Sequence, residues 1–372
     1  MELLLNEQQT LLRDSASKLS AAKGGPRRAR VLRDTRANID TDAWSEIVNA
    51  GWLSALVSED HDGLGLGIFD LALALEETGK QIVMTPLTEA ASAAWALSQA
   101  ASAETGSTVP QTAISKLVVP VTTPAAQSYT APNADVRFDP RASELSGAVS
   151  FVPYAVAAEM FLVSANEGDT ATICLVPRGA AGLSIVTSHN VDGSTSSVLS
   201  FDRVAIAADH AVAQGERAAE IVRKMQELLV LGTSAELLGV AQAALDMTLA
   251  YIKLREQFGK PIGSFQALQH RAVNCYVDVE LNRSLLFSVL AAWDAGTDHP
   301  AMIAAVKARI GRGALDTVRA ALQLHGAIGY TDEHDIGIFY KRAVALAAKY
   351  GNEITHTGHF SELTLPDNRA AE

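Results

Sequence analysis

Twelve residues, Arg255-Glu256-Gln257-Phe258-Gly259-Lys260-Pro261-Ile262-Gly263-Ser264-Phe265-Gln266, separate two long helical segments in the second half of the chain. On both sides, apolar residues recur at spacings of three and four, the period of an α-helix. Gly259 and Pro261 interrupt that period, so the sequence predicts a helix that ends near Arg255, a short turn and a new helix. An arginine at a helix end either caps the last carbonyl groups or binds phosphate oxygens through its planar guanidinium.

The rest of the chain falls into zones of different pattern around this stretch. Helical periodicity precedes and follows a middle zone of short apolar runs bounded by Gly, Pro, Asn or Asp, which is typical of strands in a small barrel or sandwich. No strand alternates with a long helix there, so a parallel doubly wound sheet is disfavoured. The predicted fold is α+β and mainly α, with an N-terminal helical domain (1–106), a middle β-barrel or sandwich domain (107–212), a C-terminal four-helix bundle (213–350) and an irregular tail (351–372).

Composition narrows the class of protein. A net charge of -12 disfavours a nucleic-acid partner, because it repels phosphate backbones. Cys174 and Cys275 lie far apart, and we expect reduced, buried thiols in a cytoplasmic protein. The most apolar stretch, residues 228–252, contains Glu236 and Asp246, so it predicts a buried core helix and no membrane span.

Several common site motifs are missing from the sequence. Gly63, Gly65 and Gly67 are spaced G-x-G-x-G between helical segments, without the strand that precedes a dinucleotide fingerprint, so they predict a structural turn. The histidines do not pair at metal-site spacing, and no H-E-x-x-H, C-x-x-C or G-x-S-x-G occurs. The sequence therefore predicts neither a metal site nor a serine hydrolase.

Two segments together resemble the signatures of the acyl-CoA dehydrogenase family: Arg255-Glu256-Gln257-Phe258-Gly259 and Gln323-Leu324-His325-Gly326-Ala327-Ile328-Gly329-Tyr330-Thr331. Trp52, residues 62–67 and Glu76-Glu77 resemble the family's N-terminal helical domain, so the likeness covers almost the whole chain. The resemblance implies an FAD cofactor at a subunit interface, with its flavin ring in the neighbouring subunit. It implies that the adenosine and pyrophosphate half is held by Arg255, Gln257, Phe258, Phe265, Gln323 and Gly326.

The middle zone departs from the family pattern. Where the family has Thr-Glu-Pro-x-x-Gly-Ser-Asp against the flavin and substrate, this chain reads Val121-Thr122-Thr123-Pro124-Ala125-Ala126-Gln127. The following strand, which in the family contacts the flavin ring, reads Val149-Ser150-Phe151-Val152-Pro153-Tyr154, and Pro153 removes a backbone donor from it.

The catalytic base is also replaced. The family's reaction removes a proton beside the thioester, so a carboxylate must stand within reach of that proton. The two positions that the family uses for it correspond here to Gly351 and Leu229. Glu236, two helical turns beyond Leu229, is the candidate substitute, because burial can make a carboxylate a stronger base. The alternative for Glu236 is a structural role, as a buried carboxylate that hydrogen-bonds an interface partner. The second nearby acid, Glu353, is more simply explained as a solvated loop residue.

The residues expected at the adenosine half of FAD are present, whereas those expected at the flavin ring and the base are replaced. Our first hypothesis is therefore a subunit that completes the flavin site of a related chain in an α₂β₂ assembly. The resemblance implies an acyl-CoA substrate, such as a sterol side-chain CoA ester, and an electron-transfer flavoprotein as acceptor. Two alternatives remain open: a homotetrameric dehydrogenase with Glu236 as base, and a non-enzymatic scaffold that binds acyl-CoA or a partner and has lost flavin.

Overall fold

The computed structural model describes residues 5–101, 116–122, 136–168, 170–297 and 299–365. Its backbone forms two compact units. The helical unit comprises Met1–Arg33, Ile68–Val83 and Val230–Glu372, and the sheet unit comprises Asp34–Gly67 and Met84–Leu229. These units are defined by contacts in space, whereas the predicted boundaries follow sequence pattern, and those boundaries remain predictions.

Helices account for most of the described chain. Their bounds are α1 Glu7–Lys23, α2 Pro26–Thr35, α3 Thr41–Asn49, α4 Ile68–Lys80, α5 Leu87–Ala100, α6 Gly215–Leu254, α7 Gln266–Asp294, α8 Pro300–His325, α9 Ile336–Ala348 and α10 Glu353–Thr364. Polar residues start several of them. The Asn6 side chain accepts a hydrogen bond from the Gln9 N–H (2.8 Å), and the Asn6 backbone N–H donates to Gln9 Oε1 (3.1 Å), which together form a capping box. Asp40 caps α3 by accepting from the Ala43 N–H (3.1 Å).

In the helical unit, α4 and α6 cross at very short range because both helices carry glycine at the crossing. A Cβ on Gly79 would lie 2.1 Å from the Glu236 carbonyl oxygen, and a Cβ on Gly239 would lie 2.0 Å from that of Glu76. No side chain fits such a gap, so the two glycines bring the helix backbones into contact. The crossing fixes the position of Glu236 along α6.

The sheet unit is built on one mostly antiparallel sheet. Its strands are β1 Val118–Val121, β2 Val136–Asp139, β3 Glu144–Pro153, β4 Met160–Glu167, β5 Thr170–Pro177, β6 Leu183–His189, β7 Thr195–Ala205 and β8 Ala211–Gln214. The order is β6-β7-β3-β2-β4-β5-β8, with β1 paired parallel to β4. Apolar side chains on its two faces form separate clusters, one around Phe161 and Leu145 and the other around Leu162 and Leu97. This alternation is what a sheet covered on both faces requires.

The predicted fold class is confirmed: helices, a middle sheet and C-terminal helices follow one another. The helix breaks fall where glycine and proline predict them, between α6 and α7, α7 and α8, and α8 and α9. Residues 62–67 form the predicted structural turn, in which a Cβ on Gly63 would collide with the Val57 backbone at 2.1 Å. Both cysteines are free and buried, and burial raises the pKa of Cys174 to about 12.

Two predictions concern absent features. Across the described ranges, the His, Cys, Asp and Glu side chains form no group that could hold a metal ion. Within the same ranges, α6 is the one helix long and apolar enough to cross a membrane, and 89% of its most apolar window is buried. That burial is the behaviour of a core helix, as its internal charges predict.

The irregular tail is a wrong prediction for most of its described residues, because Glu353–Thr364 forms α10. The Asn352 side chain accepts from the Thr355 N–H (3.0 Å) and caps the helix, while His356 and His359 give it a buried face. Sequence periodicity missed this helix because its buried face is histidine rather than aliphatic. Glu353 therefore lies in a first helical turn, 3.4 Å from Arg312, and not in a loop.

Candidate functional site

The stretch that follows α6 is a short β-hairpin with a two-residue turn. Strands β9 (Glu256–Gln257) and β10 (Lys260–Pro261) pair, and Phe258 (φ 55°) and Gly259 (φ 79°) form the turn. Two successive positive φ angles are typical of a type I′ turn, which glycine adopts freely and phenylalanine adopts at a cost. Phe258 is 92% exposed, with its ring edge-on to Phe265 at 6.1 Å. A strained aromatic residue held out in solvent is a frequent mark of a binding site.

The second sequence motif forms the end of α8 and the turn after it. Gln323 is exposed, and Gly326 ends the helix at φ 69° before a 3-10 turn of Gly326–Tyr330. A Cβ on Gly326 would meet nothing within 4 Å, so its backbone borders open space. Gly329 differs, because a Cβ there would lie 2.9 Å from the Leu322 carbonyl oxygen. Gly326 is thus open to a ligand, and Gly329 is needed for packing.

Tyr251, on the last turn of α6, joins the two motifs. Its ring stacks on His325 with centroids 4.4 Å apart, directly before Gly326. Its carbonyl accepts from the Arg255 N–H (2.8 Å), and the Arg255 carbonyl accepts from the Ile262 N–H (2.8 Å). A small apolar cluster completes the junction with the side chains Leu249, Ile252, Ile262, Leu268, Ala272 and Leu324. Segments far apart in sequence therefore share one surface.

A cavity of about 390 Å³ lies beside the second motif. Its wall includes the aromatic and charged side chains of Arg319, Tyr330, Asp332, Tyr340 and Lys341. Arg255 is exposed, and no hydrogen bond or ion pair engages its guanidinium within the described part of the chain. This region presents cations and aromatic faces to solvent, which suits an anionic, aromatic ligand.

The candidate base Glu236 lies in a different environment. It is 5% exposed, and its carboxylate accepts from Arg342 Nε (3.1 Å) and from a terminal nitrogen of the same guanidinium. Lys307 is fully buried nearby, and its ammonium donates to the Leu346 carbonyl oxygen (2.7 Å). Desolvation, followed by repulsion from Lys349, lowers the pKa of Lys307 to about 7, against the opposing attraction of Glu236. Glu236 therefore lies in a buried, paired-charge cluster, and this geometry supports a structural role better than a catalytic one.

The two usual base positions hold no carboxylate. Leu229 is 1% exposed and apolar. Gly351 has φ 96°, and a Cβ there would lie 2.7 Å from Nε2 of His356, which donates to the Tyr350 carbonyl oxygen (2.8 Å). Burial lowers the pKa of His356 to about 4, so the imidazole is neutral. A histidine ring thus occupies the space into which a side chain at position 351 would extend.

Strand β3 is irregular in the stretch where this sequence departs from the family pattern. Strand β3 has a register shift between Val149 and Val152 against β7, and Phe151 within it has φ 61° and is 76% exposed. Pro153 ends the strand opposite Ser196. A bulge re-aims side chains, so this strand does not present a regular face. Of the preceding stretch, Thr123 to Gln127 lie outside the described residues.

Sequence reasoning missed the groups that organise both regions, namely Tyr251, Lys307, Arg342 and His356. Tyr251 had a usable signal, because it lies four residues before Arg255 and so on the same helix face. The other three are polar residues within helical segments, and a polar residue in sequence does not reveal that it is buried.

Comparison with known proteins bears on the family of the chain. Residues 6–109 match the acyl-CoA dehydrogenase N-terminal domain, and residues 230–359 match the acyl-CoA dehydrogenase C-terminal domain. The acyl-CoA dehydrogenase IpdE2 of Mycolicibacterium smegmatis is 28% identical over 351 residues, covering 93% of this chain and 96% of that protein.

Solved structures share the fold over nearly the full length. A single-substitution variant of the Tcur3481-Tcur3483 steroid ACAD superposes with a TM-score of 0.86 at 27% identity, covering 98% of this chain and 99% of that one. PigA with FAD and proline superposes with a TM-score of 0.86 at 20% identity, over 98% and 99% of the two chains, a likeness of fold alone. Since the two matched domains together span more than half of the sequence, the chain belongs to the acyl-CoA dehydrogenase family of oxidoreductases.

Proposed function

We propose that this chain is a half-site subunit of an FAD-dependent acyl-CoA dehydrogenase. It supplies the adenosine side of a flavin site, and a related subunit supplies the ring side and the base. The observation that carries the proposal is the contrast between the open surface around Arg255 and Gly326 and the filled base position at Gly351.

The adenosine side fits the group it would hold. Arg255 is an exposed guanidinium for the pyrophosphate, while Gln257, Gln323 and the Gly326 backbone offer hydrogen-bonding groups beside it. Phe258 and Phe265 provide aromatic surface. FAD, when bound, accepts the hydride that leaves the substrate. The residues of this chain would bind and orient its adenosine half and exclude water from the pyrophosphate.

An exposed apolar stripe on α7 supports a second subunit. Val273, Tyr276, Val277 and Leu281 are 46–56% exposed and recur at helical spacing on one side of this helix. The buried residues of α7 include Ala272, Cys275, Val279 and Leu286, so the stripe lies outside the side that the chain itself covers. A contiguous exposed apolar patch on a protein surface often marks a site of protein–protein contact. The stripe begins two turns after Phe265, which precedes the same helix.

The missing catalytic base supports a partner subunit that carries out the chemistry. Neither Leu229 nor Gly351 offers a carboxylate, and the Glu236 carboxylate is engaged by Arg342. A general base needs a carboxylate that reaches the substrate proton, and Glu236 is held in a buried ion pair instead. We infer that the base comes from the other subunit.

The acyl group remains part of the proposal. IpdE2 is named an acyl-CoA dehydrogenase, and the Tcur3481-Tcur3483 protein is described as a steroid ACAD. We therefore propose a bulky acyl-CoA thioester, such as a sterol side-chain CoA ester, as substrate, with an electron-transfer flavoprotein as acceptor.

Purification of the chain alone and with a co-expressed dehydrogenase-like partner tests this function. We expect the single chain to lack acyl-CoA dehydrogenation and the co-purified assembly to be yellow and active. An active yellow homo-oligomer would contradict the half-site and return Glu236 to the candidates; Glu236→Gln should then abolish turnover while flavin stays bound. A co-purified assembly without a flavin absorption band would contradict both the half-site subunit and the homotetrameric dehydrogenase. The remaining hypothesis would then be the non-enzymatic scaffold that binds acyl-CoA or a partner.

A further inference from the structure

The segment that follows the second motif is tied to helix α2. The Arg33 guanidinium donates to both carboxylate oxygens of Asp332, with each bond 2.9 Å long. Arg30 donates to Asp335 at 2.5 Å. Both aspartates lie between the 3-10 turn of Gly326–Tyr330 and the start of α9. Two ion pairs therefore join residues that lie 305 and 299 positions apart in sequence.

The pairs are in register. Arg30 and Arg33 are three residues apart on α2 and so share a face, and Asp332 and Asp335 have the same spacing. The two arginines meet the two aspartates in antiparallel order. A parallel two-bond fork is the strongest geometry that an arginine and a carboxylate form, and it fixes orientation as well as distance.

These two ion pairs, called the ladder below, hold the chain just after the C-terminal end of the Gly326–Tyr330 turn. Aromatic stacking holds the chain at the N-terminal end of the same turn. His325 precedes the turn and lies between Tyr251 and His334, with ring centroids 4.4 and 4.5 Å away. The turn itself has open space beside Gly326. It is thus anchored on both sides without being packed over, which is the arrangement of a preorganised binding loop.

The ladder also changes the charge of the cavity beside the turn. Asp332 lines that cavity with Arg319 and Lys341, and an unpaired carboxylate there would repel a pyrophosphate. The fork neutralises Asp332, and the Arg33 guanidinium holds the pKa of that carboxyl at about 2, so it stays ionised and paired. Arg319 and Lys341 of the wall also lie close to carboxylates, 3.3 Å from Asp316 and 3.8 Å from Asp332, so the ion pairs leave no unbalanced negative charge at Asp332.

We propose that Arg30 and Arg33 are positioning residues: through Asp335 and Asp332 they hold the 326–335 loop in the conformation that receives the adenosine half of FAD. The inference rests on the proposed function for its ligand, and on the ion pairs alone for the positioning.

A charge-reversal series tests it in the co-purified assembly and in the full-length chain. The variants are Arg33→Asp, Asp332→Arg and the double variant, and the matched control is Arg203→Asp, which reverses one charge of the exposed Arg203–Asp202 pair in the sheet unit. FAD release from the assembly is followed after dilution, and amide hydrogen exchange is measured in the chain without cofactor.

We expect each single reversal to speed FAD release roughly fivefold to tenfold, the double variant to restore it, and the control to leave it unchanged. Hydrogen exchange should rise in residues 326–335 for the single variants only. Unchanged exchange there would overturn the positioning role. Faster exchange with unchanged FAD release would overturn the link to the cofactor. A wild-type assembly without flavin would overturn the proposed function and this ligand, while the exchange result would still decide the positioning.

Discussion

The surface around Arg255 and Gly326 and the region around Glu236 and Gly351 belong to the same helical unit, yet they are built in opposite ways. In the first, glycine turns and exposed polar side chains leave open space for a ligand. In the second, buried polar side chains have internal partners: Arg342 bonds Glu236, and Lys307 and His356 bond backbone carbonyl oxygens. On the proposed function, exposed binding groups line the surface where a cofactor would be shared, and packing groups occupy the place of the base. This difference is what the proposed division of labour between two chains requires.

The largest expected effect comes from breaking the buried pair. Arg342→Ala removes the partner of Glu236 and leaves a buried carboxylate without compensation, which costs about 3–5 kcal/mol. Urea unfolding should therefore show a markedly lower free energy of unfolding. Arg203→Ala, which removes an exposed ion pair, should stay within about 0.5 kcal/mol of wild type. Equal, small effects for both would show that the Glu236 region is not a packed structural core.

His356 makes a second test through pH. Its pKa is lowered from 6.5 to about 4 in the folded chain, so between these values the unfolded chain binds a proton that the folded chain does not. Stability is fully present above pH 6.5 and is lost as the pH falls towards 4, by on the order of 3 kcal/mol. His356→Asn should flatten the dependence of unfolding free energy on pH within this window. The same slope in variant and wild type would contradict a buried, neutral imidazole.

Arg255 tests the open region. Loss of a charge-assisted contact to phosphate costs about 1.5–3 kcal/mol, so Arg255→Ala should weaken FAD binding by the co-purified assembly roughly 10- to 100-fold. The free energy of unfolding of the chain should hardly change, since the side chain is exposed. Titration of the apo-assembly with FAD measures the first, and urea unfolding measures the second. If Arg255→Ala lowered the free energy of unfolding and left FAD affinity unchanged, Arg255 would be a structural residue and not a binding residue.

The smallest effect concerns the strained hairpin tip. Asparagine adopts positive φ more readily than phenylalanine, so Phe258→Asn should raise the free energy of unfolding by about 1 kcal/mol. If the strain serves the cofactor, the same variant should bind FAD more weakly. A variant that is more stable and binds FAD as well as wild type would remove Phe258 from the proposed site.

The sequence predicted the helix breaks and the sheet because glycine, proline and hydrophobic period act locally. That Arg255 and Gln323 belong to one cofactor site stays a prediction from the family resemblance. The sequence could not predict the ladder from Arg30 and Arg33 to Asp335 and Asp332, because the partners lie far apart in the chain and each is an ordinary surface charge in isolation. The α10 helix was missed because buried histidines do not produce an apolar period.

The flavin content of the co-purified assembly tests the central claim most directly. Flavin absorbance after release, divided by the amount of each chain, gives the number of cofactors per subunit. A half-site subunit predicts one flavin for every two chains, bound only when both kinds of chain are present. One flavin per chain, or a full complement of flavin in this chain alone, would contradict the account.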